Sequence, residues 1–443
     1  MSSLNILHTE VYLTRTNPWL ITCVSVIATC FLLALTRVTS YLVDLHNQES
    51  GPHGCRRLGL HAKSNLEDEH HERYSRPEQK GGIAAWKVKS LWIYPVKSCK
   101  GVELNEGTVT GRGMEYDRQF CFAQLVSKFP ASQDESREEK AKHAWKFITQ
   151  RTFPAMANVK TELWIPDQSS LTYAEEHPHI KSEGVLVLRF PSLVKEIGFW
   201  RGVWDILKPF GRKRETTVHI PFNPTDEQVS KSGYPVENME IWKDNPTSIL
   251  MASTESSEPW IQDLRYYLGI TNHLALFRAR SDKPREVYRC APRRAEIGYQ
   301  STVAFQDAYP LHILNLASVH DVARNMEKGA PSIGARNFRP NIVITGGDAY
   351  AEDSWKRISI GDFEYYAACR TVRCLLPNVN PATGVRHRSE PNRTLKAIRR
   401  IDEGDPKNAC LGMQMVPAIE ASRIAVGDAI TVLETGEHFY IKQ

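Results

Sequence analysis

Among its 443 residues the chain has no Cys-x-x-Cys pair, no Gly-x-Gly-x-x-Gly turn, no Walker loop and no internal repeat. The first absence argues against a structural zinc site or a ferredoxin-type cluster, whose ligands come in closely spaced pairs. The second and third remove the usual cradles for dinucleotides and nucleoside triphosphates. Net charge is also scarce, only +5 from 56 basic and 51 acidic residues. Without a zinc-finger or RNA-binding signature, that charge does not describe a nucleic-acid surface, and no nucleic-acid partner is expected. The nine cysteines are irregularly placed and odd in number, which does not make a disulfide framework and fits a reducing compartment.

What is present begins with one apolar run. Trp19 to Leu35 carries no charge and approaches the roughly 20 residues that cross a bilayer as a helix. There is no Ala-x-Ala cleavage site behind it, so an uncleaved anchor over residues 1–44 is expected. Arg37, Arg56 and Arg57 on its C-terminal side place the body toward the cytosol. Residues 45–82 are polar and charged without apolar periodicity, and read as a disordered tether. His70 and His71 lie in that stretch, where nothing would fix the geometry of a metal site.

From Ile83 the pattern becomes mixed α/β and β-rich. Short aromatic and β-branched runs between Gly, Pro and Asn predict strands near 86–94, 102–110, 118–125, 163–165, 185–190 and 216–220. Others follow at 342–345, 357–360, 363–368 and 429–433, with a final strand through Ile441. Ser257 and Pro259 open a predicted helix with Trp260, Leu264 and Leu268 on one face, ending at Gly269. A second is expected from Ser318 to Gly329. Two insertions interrupt the first half: a charged loop or short exposed helix at 127–146, and an aromatic and basic segment at 192–214. The latter suits either a membrane surface or core packing of its tryptophans.

Three clusters supply anion-binding groups at strand ends: Tyr94 to Gly101 with Lys97 and Ser98, Asp117-Arg118, and Asn337 to Asn341 with Arg339. Lysine, hydroxyl and turn amides together suit a phosphate. Cys374 follows Arg373 and precedes the turn Asn380 to Gly384. A neighbouring cation favours thiolate, leaving nucleophile and soft-metal ligand both open.

The order of these segments resembles the MOSC-domain proteins of the mitochondrial amidoxime-reducing component type. The resemblance is carried by Ile93 to Gly101, Tyr116 to Phe120, Thr149 to Arg151 with Pro154 and Met156, Asn337 to Asn341, Ala351 to Trp355, and Arg373-Cys374. It implies a MOSC N-terminal β-barrel domain over 83–275 and a MOSC domain, itself a β-barrel with a few packing helices, over 276–443, behind one transmembrane helix. It also implies a molybdenum–molybdopterin cofactor, with Cys374 as metal ligand and catalytic residue. Lys97, Ser98, Arg118, Arg339, Asn341 and Arg373 would hold the pterin and its phosphate. Val372 stands where the family usually has a small polar residue, and the family's aromatic near Cys410 is not evident. The implied activity is reduction of amidoximes, hydroxylamines and hydroxyguanidines to N–H products. Electrons would come from a b-type cytochrome and its NADH-dependent flavin reductase, on the mitochondrial outer membrane in preference to the endoplasmic reticulum. The rival implied by other MOSC proteins is a molybdenum-cofactor carrier or sulfur-transfer module. Cofactor sulfurases carry a pyridoxal-phosphate domain of several hundred residues, for which 82 residues ahead of the body leave no room.

Overall fold

The computed structural model describes residues 19, 26–29, 31, 51–76, 79–80, 83–127, 143–192, 215–256 and 258–442. The expected anchor falls almost wholly outside them. Among the described residues no helix is long and apolar enough to cross a membrane. The segment 193–214 and residues 128–142 also lie outside, as does Ser257. The end of the first insertion is a strand, Ala144–Phe147, not a loop or helix.

The described residues from His53 onward form one compact unit. Its largest sheet has eight strands, in the order Ile430–Thr435, Trp355–Ile360, Phe363–Arg373, Ala409–Pro417, Leu311–Asn315, Ile342–Thr345, Lys87–Ile93 and Val102–Leu104. The sheet curls back on itself, since Ile430 donates to the Trp86 carbonyl at 3.0 Å and Lys87 bridges Ala429, but no full ladder closes it, so it is a half-barrel where a barrel was expected. It also crosses the expected boundary at 275, because Lys87–Ile93 pairs antiparallel with Ile342–Thr345. The closed barrel is smaller and lies in the first half. Its five strands are Val236–Glu240, Thr247–Ser253, Leu274–Ala279, Phe120–Val126 and Ala144–Phe147, closed by parallel pairing of Met239 with Trp145. A four-stranded sheet of Cys55–Leu58, Lys160–Pro166, Val185–Pro191 and Glu215–Pro221 packs beside it.

The first helix, Pro259–Leu268, matches its signals. Proline occupies the first turn, Gly269 ends it at φ 69°, and Trp260, Ile261, Leu264 and Leu268 are buried. The second begins two residues earlier than expected, at Leu316, because the Asn315 side chain caps the Ala317 amide. Ser318, the expected start, instead donates its hydroxyl to buried Glu352 at 2.9 Å. The last strand ends at Thr435, and 436–442 run without regular structure.

The described residues of the segment expected to be a disordered tether are folded from residue 53. Cys55–Leu58 adds a strand to the edge of Lys160–Pro166. Further on, Leu66 and Tyr74 are buried against Trp92, Tyr94 and Leu316. The polar residues between them are bonded too: Glu69 accepts the Ala335 amide at 2.8 Å and Asp68 pairs with Lys89 at 2.9 Å. A few isolated apolar anchors and an edge strand hold this stretch, and neither leaves a periodic pattern in sequence.

Glu352 fixes the second helix to the sheet and makes a pH prediction. Burial, with Asp353 adding to it, lifts its carboxyl from 4.5 to about 7. The folded state therefore binds more protons than the unfolded one between those values. Stability must fall as pH rises through that window and level off above it. Glu352→Gln removes this dependence. Relative to the wild type, the variant is expected to gain on the order of 3 kcal/mol between pH 4.5 and 8, measured by urea unfolding. A constant difference across that range would contradict it.

Candidate functional site

The site forms where two turns are zipped together. Lys97 donates its amide to the Phe120 carbonyl at 2.8 Å, Arg118 to Tyr94 at 2.9 Å, and Phe120 to Pro95 at 2.9 Å. This places the Lys97-Ser98 turn against Arg118. The Asn337–Asn341 segment closes over both, since Arg118 donates to the Asn341 side chain at 3.2 Å and to the Arg339 carbonyl at 3.1 Å. Asn341 is a hub: the same side-chain oxygen accepts the His312 amide at 3.2 Å, and its nitrogen donates to the Trp92 carbonyl at 3.1 Å. Ser98, Arg118 and Arg339 have φ of 66°, 47° and 52°. Non-glycine residues in the left-handed region carry strain, and such residues cluster at functional sites.

Arg373 joins from the end of its strand. It is buried, donating Nε to the Leu411 carbonyl at 2.9 Å, Nη1 to Phe338 at 3.2 Å and Nη2 to His312 Nε2 at 2.5 Å. Burial pushes it down to about 10. Burial and the Arg373 and Arg118 charges drive His312 well below its ordinary value, so the ring is a neutral acceptor. Cys374 follows immediately and is exposed. Its sulfur accepts the Leu376 amide at 3.4 Å, and its carbonyl accepts from Asn392 at 3.5 Å. The loop beyond is pinned by Asn337, whose amide donates to the Pro377 carbonyl at 3.0 Å. Lys97, by contrast, is occupied: its Nζ donates to Phe305 at 2.7 Å and to Asp307 at 2.5 Å. The Asp307 side chain is 62% exposed; against partial desolvation, Lys97 and the Trp242 indole hold its carboxyl down to about 2.

A narrow cleft beside this network is lined by Trp92, Tyr94, Lys100, Gln150, Arg336, Arg339 and Pro381. Three of its polar groups, Arg339 Nη2, Trp92 Nε1 and Gln150 Oε1, are buried without a hydrogen-bond partner, as is the adjacent Thr149 hydroxyl. Buried groups of this kind need a partner, an ordered water or a ligand. The Arg339 guanidinium lies 4.0 Å from the Tyr94 ring centroid, and that of Arg336 lies 5.3 Å from Trp92. Burial, then the Arg336 and Lys160 charges, lower Lys100. Arg336, Arg339 and Lys100 thus crowd cationic groups that an anion would relieve. A larger depression at the barrel end, lined by Trp145, Tyr234, Glu237, Leu250 and His273, contains none of the sequence-predicted site residues.

Of the seven residues singled out in sequence, Arg118, Arg339, Asn341 and Arg373 share one hydrogen-bonded network, and Lys97, Ser98 and Cys374 flank it. Lys100, Gln150, Arg336, Trp92, Asp307 and His312 were not singled out. Lys100 and Gln150 stood inside quoted motifs, and Trp92 and Arg336 each directly before one; Asp307 and His312 carried no local signal. Among the described residues, no three His, Cys, Asp or Glu side chains are grouped to hold a metal ion unaided.

Comparison with known proteins places the chain in a class. Residues 85–187 match the MOSC N-terminal beta barrel domain and residues 300–431 the MOSC domain, so the chain is a MOSC-domain protein. Within that class it resembles mitochondrial amidoxime-reducing component 1. It is 27% identical to the Homo sapiens protein over 351 residues, 78% of this chain and 82% of that one. To the Mus musculus protein it is 27% identical over 318 residues, 72% and 73% of the two chains. It is also 22% identical to the molybdenum cofactor sulfurase of Arabidopsis thaliana over 371 residues, 77% of this chain and 36% of that protein.

Proposed function

We propose that this protein is a molybdenum-cofactor oxidoreductase that reduces N-hydroxylated compounds to N–H products, drawing electrons from a b-type cytochrome and its NADH-dependent flavin reductase. One observation carries the reading. An exposed cysteine thiol is held directly after a buried arginine, in a site whose cleft keeps orphaned donors and unneutralised cations. Those residues fit the implied group: Arg339 Nη2, Arg336 and Lys100 suit the phosphate, Trp92 Nε1 and Gln150 Oε1 suit polar pterin edges, and the Cys374 sulfur is a soft ligand for molybdenum. When bound, the cofactor would supply two-electron removal of a nitrogen-bound oxygen. The chain supplies position. Arg373 fixes the backbone that presents Cys374 by bonds to Leu411, Phe338 and His312. Leu375, next in sequence and exposed, offers an apolar surface beside the thiol. Asp307 is ionised at neutral pH and supplies no proton. The charge-free run at 19–35 would tether the body to the membrane of its electron donor, which raises their effective concentration.

The similarity to a molybdenum cofactor sulfurase favours a second reading, a cofactor carrier or sulfur-transfer protein. One experiment separates the two: molybdenum and released pterin measured on the full-length chain from a cofactor-competent host, with reduction of an amidoxime by the reconstituted cytochrome chain. Wild type is expected to carry both and to turn over. Cys374→Ser is expected to lose more than about 100-fold in activity, beyond the range of an outer-shell change. Cofactor without reductase activity selects the carrier; neither metal nor pterin defeats both readings.

A further inference from the structure

A second thiol cluster lies apart from the Cys374 loop. Cys369 is fully buried in the strand Phe363–Arg373, and Cys290 is half-buried after Arg285–Glu286. The two share a pocket with Tyr309, Val287, Ala291, Val303 and Val416. The Cys290 sulfur accepts the Ile441 amide at 3.4 Å, and Cys290 packs in the same cluster as the Cys369 thiol and the Tyr309 ring. As a thiol it can itself donate to the Phe439 carbonyl at 3.6 Å. A donor amide with a neighbouring thiol and hydroxyl favours the thiolate. The Cys369 thiol first, with the Ile441 amide and the Tyr309 hydroxyl, outweighs burial and the nearby Asp402 carboxylate and brings Cys290 down to about 6. Asp402 is itself paired with Arg370 at 3.1 Å. Burial drives Cys369 the other way, well above its ordinary value. A partly accessible thiolate thus rests against a protonated thiol, the arrangement of an attacking and a resolving cysteine.

We propose that Cys290 and Cys369 are a reactive pair that hydroperoxides oxidise to an internal disulfide. The Cys290 thiolate attacks one peroxide oxygen; an S–O bond forms, the O–O bond breaks, and the departing oxygen leaves as an alcohol, or as water from hydrogen peroxide, after taking a proton. The Cys369 sulfur then attacks the sulfenic sulfur, the S–S bond forms, the S–O bond breaks and water leaves. Two thiols lose two electrons and one peroxide gains them, giving one disulfide, one alcohol and one water. This chemistry uses no part of the cofactor site and proceeds in cofactor-free protein.

The test is peroxide treatment of the reduced full-length chain, followed by alkylation and peptide mapping. The expected product is a peptide linking Cys290 to Cys369, with two fewer titratable thiols. In Cys369→Ser, Cys290 should accumulate as a sulfenic acid captured by dimedone; in Cys290→Ser, Cys369 should stay reduced. Untreated protein gives a check that no variant can confuse. At pH 7 a thiol titrating near 6 has about 90-fold more thiolate than one near 9, and its weaker nucleophilicity leaves alkylation about three- to sixfold faster. Cys290 alkylation should therefore reach half its maximum near pH 6. The proposal is overturned if both cysteines remain alkylatable after peroxide while Cys374 oxidises first, or if Cys290 alkylates with the pH profile of an ordinary thiol.

Discussion

Replacing Arg118 by methionine is expected to destabilise the fold by about 3–5 kcal/mol, because it leaves a buried carboxylate without its cation. Asp117 is wholly buried; one oxygen accepts the Tyr94 amide at 2.8 Å and the other accepts Arg118 Nη1 at 2.5 Å. The Arg118 side chain is only 14% exposed, so water cannot take over the pairing. The same change removes the bonds to Asn341 and the Arg339 carbonyl and the guanidinium 4.5 Å from Tyr94. Backbone strain does not enter, since arginine and methionine suffer alike at φ 47°. The double variant Asp117→Asn with Arg118→Met keeps an acceptor for the Tyr94 amide and buries no charge. It is expected to recover most of the loss. Urea unfolding of the four proteins in the cycle gives the coupling energy directly. A single variant within about 1 kcal/mol of wild type, well below the loss expected of a broken buried pair, would show that the pair does not hold the two turns together, and so would a double variant as unstable as the single one.

That dependence explains which parts of the site sequence could reveal. Lys97, Ser98, Arg118, Arg339, Asn341 and Arg373 are all within a few residues of a proline, a turn or a strand end, where local chemistry is informative. Their mutual contacts are not local: Arg118 meets Asn341 across 223 residues and Arg373 meets His312 across 61. Such pairings come from the order of strands in the large sheet, which period-two patterns do not specify. Trp92 and His312 look in sequence like ordinary strand residues, yet their side-chain nitrogens face the site network or its cleft. Leu66 and Tyr74 were unreadable for another reason, being single anchors in a polar stretch. Helix signals did better. Pro259 and Gly269 delimit their helix, while the second start was misplaced because serine and asparagine both cap, and Ser318 was already bound to Glu352.

Replacing Arg339 by methionine should have the opposite profile to the Arg118 change: little loss of stability in the cofactor-free protein and a large loss of cofactor. Arg339 Nη2 is buried without a partner, which costs the ligand-free fold about 1–3 kcal/mol. Burial pulls its guanidinium down to about 10, a second sign that the charge is uncompensated there. Methionine removes that penalty and forfeits the bond from Nη1 to the Cys99 carbonyl at 2.7 Å, while its thioether can still pack on Tyr94. These terms offset, and a net change within about 1 kcal/mol is expected on unfolding the cofactor-free chain. An anion in the cleft, however, loses at least one charge-assisted hydrogen bond, worth about 1.5–3 kcal/mol, so pterin retention after gel filtration should weaken about 10- to 150-fold. Unchanged retention, or a stability loss matching that of Arg118→Met, would place Arg339 in the structural framework instead. The two arginines sit one hydrogen bond apart and are separated by satisfaction alone: the one paired with a buried aspartate holds the fold, and the one left unpaired is available to a ligand.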